Sequence, residues 1–500
     1  MTKSSSQTKY ISSISVLPDD LLLVIFHAVA DDIYGTDGQL RLDCVALASV
    51  CRGWRSLVLS TSRFWTRLHM MTKFGALSKE HLEMHVTRSA NALVDVVIYI
   101  ARPPDPWGQA AWTLVFDGAK VCLQVLRECS HRWRSLKIIN EIDNHSGLFG
   151  CVLSELGLPH APALKNIEII CHSSGWITSL KESFQFLSTT YTPSLKMLKL
   201  EGCDSSILPE QFDASSLRHV SLKFLRQFSH TPPNSLDVFR NFLSCARNLV
   251  SLEVHRRVFF VEHAKTDNEV DPIILPALRT LHIIMGAEKP AYLSGILGNI
   301  TAPNLCHLAI HGDSLAWEES SLIDFSSPAF FLRQDEVPKF PTVCQLTMKN
   351  MLQSVYGPGK NLHSIFTALP HVTEVVLDHD VREIANSLVM ELYDKKVPPL
   401  WPYLRQLTIE MTPTTTFHYL PQLCEWLRLR RASGLSLPAV TIRYGLQRAG
   451  VKKDARDLMI IRKIVNDATG YRASDTREVV KQLGKLDALV DLRVDSWIYD

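Results

Sequence analysis

One short pattern, apolar-x-x-apolar-x-apolar, recurs along most of this chain and constrains its architecture more than any other feature. CSHRWRSLKI (Cys129 to Ile138) and CARNLVSLEV (Cys245 to Val254) align without a gap. The same frame reads PALKNIEI at Pro162, PSLKMLKL at Pro193, SSLRHVSL at Ser215, PALRTLHI at Pro276 and PNLCHLAI at Pro303. It continues with PTVCQLTM at Pro341, PHVTEVVL at Pro370, PYLRQLTI at Pro402 and DALVDLRV at Asp487, and weaker copies start at Asn91 and Ser436. The first apolar position returns roughly every 22 to 40 residues, with one longer gap near the C-terminus. Each copy reads as a strand whose alternation puts positions four and six into a core and positions three and five on an open face.

Between the strands lie amphipathic segments. SKEHLEMHVTRSA begins at Ser78 with a cap and an acidic residue two places on. AKVCLQVLRECSHRW carries an apolar stripe of Val121, Val125 and Cys129, and DVFRNFLSCARNL one of Val238, Phe242 and Cys245. A unit that is polar on one side only must stack on its neighbours, and parallel strands joined by right-handed helical crossovers are the expected topology. Two stretches break the rhythm: Ser314 to Phe340, carrying Trp317, Phe330 and Phe331, and Gly445 to Gly484. Either is a packing insert or a loop that touches a partner.

The stretch from Leu17 to Leu68 is different. Leu17-Pro18-Asp19-Asp20 starts a helix with proline at the first helical position and two carboxylates facing the positive end of the dipole. In the LLLVIFHAVA that follows, Leu21, Ile25 and Ala28 share one face while Leu22, Phe26 and Val29 share another, so most of the circumference is apolar. A second apolar helix, Cys44 to Val50, runs into Cys51-Arg52-Gly53-Trp54-Arg55, and Phe64-Trp65 closes the segment. These helices carry more apolar surface than about fifty residues bury among themselves, which asks for a partner.

Leu-Pro-x-Asp, then Leu-x-x-x-Ile-Phe, then Leu47-x-x-Val50-Cys51-Arg52-x-Trp54-Arg55 and a terminal Trp65, closely resembles the F-box. That is the helical module that docks on the Skp-type adaptor of cullin-based ubiquitin ligases. The resemblance covers about a tenth of the chain and departs from the family in its long connection from Asp31 to Arg41. The repeated frame resembles the strand half of a leucine-rich repeat, without the asparagine or cysteine ladder that follows the strand in regular repeats. Together these resemble an F-box protein with a degenerate leucine-rich-repeat-like region, of the kind common in fungi, and the fold class the resemblance implies is α/β. A tail over 1–14 and an F-box over 15–70 precede an irregular leucine-rich-repeat-like solenoid over 71–500.

A formal charge of +2 on 500 residues gives no general electrostatic attraction to nucleic acid or an anionic membrane. The basic clusters Arg428, Arg430, Arg431 and Lys452, Lys453 read as solvated helix faces. No window reaches the ~18 uninterrupted apolar residues of a membrane helix. The polar N-terminus lacks the apolar core of a signal peptide, so secretion is not expected. Eleven scattered cysteines without a Cys-x-x-Cys pair suggest reduced thiols in cytosol or nucleus. The sequons at Asn144 and Asn299 would then carry no glycan.

Catalytic chemistry is thinly represented. His81 and His85 stand four apart without the intervening glutamate of zincins, Gly357-Pro358-Gly359-Lys360 lacks the Ser/Thr of a phosphate loop, and Asp378-His379-Asp380 reads as a solvated strand end. No enzyme activity, cofactor or metal is expected. The resemblance implies a substrate-receptor subunit of a cullin-based (SCF-type) ubiquitin ligase. Its adaptor-binding residues would be Leu17, Pro18, Leu21, Leu22, Ile25, Leu47, Val50 and Trp54. The open face would bind an unidentified target protein through residues such as Glu253, His282 and Thr347. The other expected open-face positions run from Asn166 and Glu168 to Gln406 and Thr408. An F-box-bearing scaffold or inhibitor acting outside ubiquitin ligation is the second expectation.

Overall fold

The computed structural model describes residues 17–32, 44–72, 79–101, 109–141, 148–157, 160–172, 190–203, 214–223, 236–255, 272–285, 290–312, 331–332, 337–349, 368–378, 401–411, 420–447 and 492–499. The chain divides into two compact units, 1–167 with 190–194, and 168–189 with 195–500. Residue 70, the expected end of the N-terminal helical domain, lies within the first unit.

That first unit opens with α1 (Asp19–Asp32), α2 (Cys44–Val50), α3 (Arg52–Ser60) and a 3₁₀ turn (Ser62–Trp65). It continues through β1 (Arg67–Met71), α4 (Lys79–Arg88), β2 (Val94–Ile100), α5 (Gln109–Glu128), β3 (Trp133–Asn140) and α6 (Leu148–Leu156). Strand β4 (Asn166–Cys171) begins here and ends in the second unit. β1, β2 and β3 pair in parallel in that order. The helices pack around Leu22, Phe26, Leu47, Ala48, Val58, Phe64 and Trp65, with Met84 of α4 against the same cluster. Trp65 closes it: its indole N–H donates to the Val58 carbonyl at 2.9 Å, and the ring meets His85 at 4.9 Å.

The second unit contains β5 (Met197–Glu201), β6 (His219–Lys223), α7 (Leu236–Cys245), β7 (Ser251–His255), β8 (Ile273–Ile274), β9 (Thr280–Met285), α8 (Pro290–Asn299) and β10 (Ile300–Thr301). β11 (His307–Gly312), β12 (Gln345–Lys349), β13 (Glu374–Asp378), β14 (Gln406–Met411), α9 (Leu420–Ala432), β15 (Ala439–Gln447) and β16 (Leu492–Tyr499) follow. All but β8 and β10, which pair with each other, form one large parallel sheet in chain order. From β5 onward the register is unshifted: Leu198 faces Val220, Val220 faces Leu252, and Leu252 faces Leu281. Stacking in register puts the copies from β5 to β14 in the same place. Positions one, four and six form continuous buried rows, as in Leu217, Val220 and Leu222 or Leu278, Leu281 and Ile283.

Several strands are entered through a tight turn, and side chains in some of these turns reach back to the preceding one. Asn248 and Asn304 donate their amide N–H groups to the carbonyls of Ser215 and Pro276, each at 2.8 Å. Thr342 donates its hydroxyl to the Pro303 carbonyl at 2.8 Å. These bonds satisfy carbonyls that the strands leave outside the ladder. They lie before the strand, whereas the ladder sought in the sequence would follow it.

Several sequence expectations shift. α5 turns Val121 to solvent and buries Cys122, Leu123, Val125 and Leu126, with Cys129 buried just past its end; α7 exposes Cys245 and buries Phe239, Phe242 and Leu243. In both helices the buried stripe takes in the neighbouring apolar residue as well, because adjacent apolar positions left the helical phase undetermined. Thr408, expected on the open face, is buried in β14, as is Glu410 two residues on. Arg430, read as part of a solvated cluster, is among the largest fully buried side chains. Most of 314–340, nearly all of 445–484, and Lys452, Lys453, His379 and Asp380 lie outside the described residues; Phe331 and Phe340 are buried.

Candidate functional site

The two apolar faces of α1 have different fates. Leu22 and Phe26 are in the core, at 6% and 1% exposure. Leu21, Val24 and Ile25, one turn of the other stripe, are exposed at 51%, 64% and 37%. Ala28 continues that stripe and is also exposed. On α2, Leu47 and Ala48 point inward while Val45 and Val50 are exposed at 44% and 59%. Single exposed apolar residues are ordinary, but five large aliphatic side chains facing water on two helices are not.

The residues around this face hold it in place. α1 starts at Asp19, with Asp19 and Asp20 in its first turn. The carbonyl of Pro18 accepts from the N–H groups of Leu21 and Leu22, each at 3.0 Å. Cys51 caps α3, its Sγ accepting from the Trp54 N–H at 3.4 Å. The Trp54 ring meets Phe26 edge-on, centroids 4.5 Å apart, and Arg55 Nε donates to the Ala48 carbonyl at 2.9 Å. The Cys-Arg-x-Trp-Arg run is thus a cap, a lid on the core and a tie between α2 and α3.

Of the eight residues expected to meet an adaptor, Pro18, Leu21, Ile25 and Val50 are exposed, Leu17 and Trp54 are half-buried against the core, and Leu22 and Leu47 are inside it. Val24 and Val45 join the exposed set; Val24 follows Leu21 by three residues, which is the spacing that could have found it in the sequence.

The second candidate lies on the sheet face of the second unit. Glu253 accepts from Ser221 Oγ at 2.7 Å and from His255 Nε2 at 2.6 Å, and lies 3.4 Å from His282 Nδ1. The His282 and His311 rings share a hydrogen bond at 3.2 Å, and His307 Nε2 lies 3.2 Å from Thr347 Oγ1. Hydrogen bonds from His255 and then His282 hold the Glu253 carboxyl well below the usual carboxylate range, with Ser221 adding to them against the opposing effect of burial. Burial, and then the charge of His282, lowers His307. The structure therefore joins Glu253 and His282 directly, while Thr347 stands with His307 on the neighbouring strands. Flanking this strip, Lys199 bridges Glu168 and Glu201, and Lys349 and Arg443 both meet Glu410.

Among the described residues no group of histidine, cysteine and carboxylate side chains has the arrangement to hold a metal ion, and no helix is long and apolar enough to cross a membrane. His81 and His85 are ring neighbours at 4.6 Å.

Residues 14–71 match the F-box-like family model. The match spans all three N-terminal helices and the exposed apolar stripe. Domains of that family generally bind Skp-type adaptors. Comparison with curated proteins gives no match.

Proposed function

We propose that the chain is the substrate-receptor subunit of a cullin-based (SCF-type) ubiquitin ligase. The single observation that supports this best is the water-facing stripe of Leu21, Val24 and Ile25 with Val45 and Val50 beside the family's motif residues. Burying one such side chain in a partner contributes about 1.5–3 kcal/mol, so a few of them suffice for a specific complex. In this reading the stripe docks the Skp-type adaptor and through it the cullin.

The large parallel sheet, read as an irregular leucine-rich-repeat-like solenoid, holds a target protein on the strip around Glu253, His282 and Thr347. The chain then supplies no reactive group; it raises the effective concentration of a target lysine near the conjugating enzyme. Such a protein works in the cytoplasm or the nucleus.

Co-purification of the tagged full chain tests this. Adaptor and cullin should come down with it, and Leu21→Asp with Ile25→Asp should lose both while the chain stays folded. A reversal of charge and bulk at Glu253, His282 and Thr347 should lose the target alone. Undiminished recovery of the adaptor by the folded double variant would sink the assignment.

A further inference from the structure

The open face of the second unit neutralises its own lysines and arginines: Lys199, Lys223, Lys349 and Arg443 each meet a glutamate on the same face. The rim where the chain enters the strands does the opposite. Lys196, Arg218, Arg247 and Arg279 are exposed there, and none has an ion-pair partner among the described residues. The rim segments 215–218, 247–250 and 276–279 read SSLR, RNLV and PALR, without one acidic residue.

These cations form a row because the backbone is in register. The Arg218 N–H donates to the Lys196 carbonyl at 2.8 Å, the Val250 N–H to that of Arg218 at 2.7 Å, and the Arg279 N–H to that of Val250 at 2.8 Å. At about 4.8 Å per strand, Lys196 and Arg279 stand roughly 14 Å apart along the rim. Arg247, three residues before Val250, brings a cation to the one strand of the row whose rim residue is apolar. Like charges side by side on neighbouring strands repel, so an unneutralised row is a cost the fold bears without return.

We propose that this rim is a docking site for an acidic protein segment, extended and carrying Asp or Glu at alternate positions. Alternate residues of an extended chain lie about 6.6 Å apart on one face, so three acids cover the 14 Å row. Arginine forks match carboxylates in two-pronged geometry. The rim shares no residue with the N-terminal apolar stripe, so its test does not rest on whether an adaptor binds there.

The test uses the purified full chain and a fluorescent peptide with three glutamates at alternate positions, read by anisotropy at two salt concentrations. The peptide should bind, more weakly at high salt. Arg218→Glu with Arg279→Glu should weaken it at least tenfold at an unchanged unfolding midpoint, and Lys196→Gln with Arg247→Gln should weaken it by a smaller factor. Equal binding of the glutamine counterpart of the peptide, affinity unchanged by the charge reversal, or tighter binding of a single-stranded RNA of equal charge would each overturn the proposal.

Discussion

Replacing Arg430 by lysine and by alanine probes how the second unit is tied together. Arg430 lies near the C-terminal end of α9, and its guanidinium spans two turns. Nε donates to the Ser436 carbonyl at 2.7 Å, and Nη2 donates to those of Trp401 at 2.9 Å and Pro402 at 3.2 Å. Burial lowers its pKa to about 10, which leaves it charged at neutral pH. Trp401 sits at φ 44, in the left-handed region that costs a non-glycine residue roughly 1–2 kcal/mol, and its carbonyl accepts both from Arg430 and from the Leu404 N–H at 3.0 Å. A hydrogen bond from a charged donor contributes about 1.5–3 kcal/mol.

Lysine keeps the charge but cannot fork between the two turns. Arg430→Lys should therefore cost about 2 kcal/mol, and Arg430→Ala, which strips every donor and opens a cavity, about 3–5 kcal/mol. Amide hydrogen exchange in β14 and β15 measures this directly, since 2 kcal/mol of lost local stability is about a thirtyfold faster exchange. Wild-type exchange rates in Arg430→Lys would refute the two-turn tie.

Leu22→Ala and Leu47→Ala should each destabilise the N-terminal helices by about 2–5 kcal/mol, whereas Leu21→Ala and Val24→Ala should stay within about 0.5 kcal/mol; thermal melts of the four variants show the split. The depressed Glu253 pKa means a stabilisation fully present above the unfolded value of about 4.5 and lost as pH falls below it. Glu253→Gln should accordingly flatten the decline of the melting temperature between about pH 5 and pH 3. His307 is lowered in the fold from 6.5, so the unfolded chain takes up its proton first and stability falls as pH drops through that value. His307→Asn should remove part of the loss between pH 7.5 and 5.5, seen in melts of the two proteins across that range.

The strands were legible because the frame repeats: a buried residue at positions one, four and six is visible in a single sequence once the copies are aligned. Even β1 fits, since Trp65-x-x-Leu68-x-Met70 obeys the frame, yet its place at the end of the N-terminal helices concealed it. The two apolar faces of α1 were also readable, but which one the fold buries depends on Leu47, Trp54 and Phe64, which meet it only in three dimensions. Arg430 escaped because neighbouring arginines at 428 and 431 do face water, and only the turn at Trp401 distinguishes it. The rim cations are all visible in the sequence; that they form one row follows from the register.

If the stripe of Leu21, Val24 and Ile25 is an adaptor surface, complex formation takes these side chains out of water. Calorimetric titration of the purified full chain with the Skp-type adaptor, repeated at several temperatures, tests it most directly. A one-to-one complex with a negative heat-capacity change, the mark of apolar surface leaving water, is expected, and it should be lost in Leu21→Asp with Ile25→Asp. A complex that forms with no heat-capacity change, or that persists undiminished in the folded double variant, would contradict it.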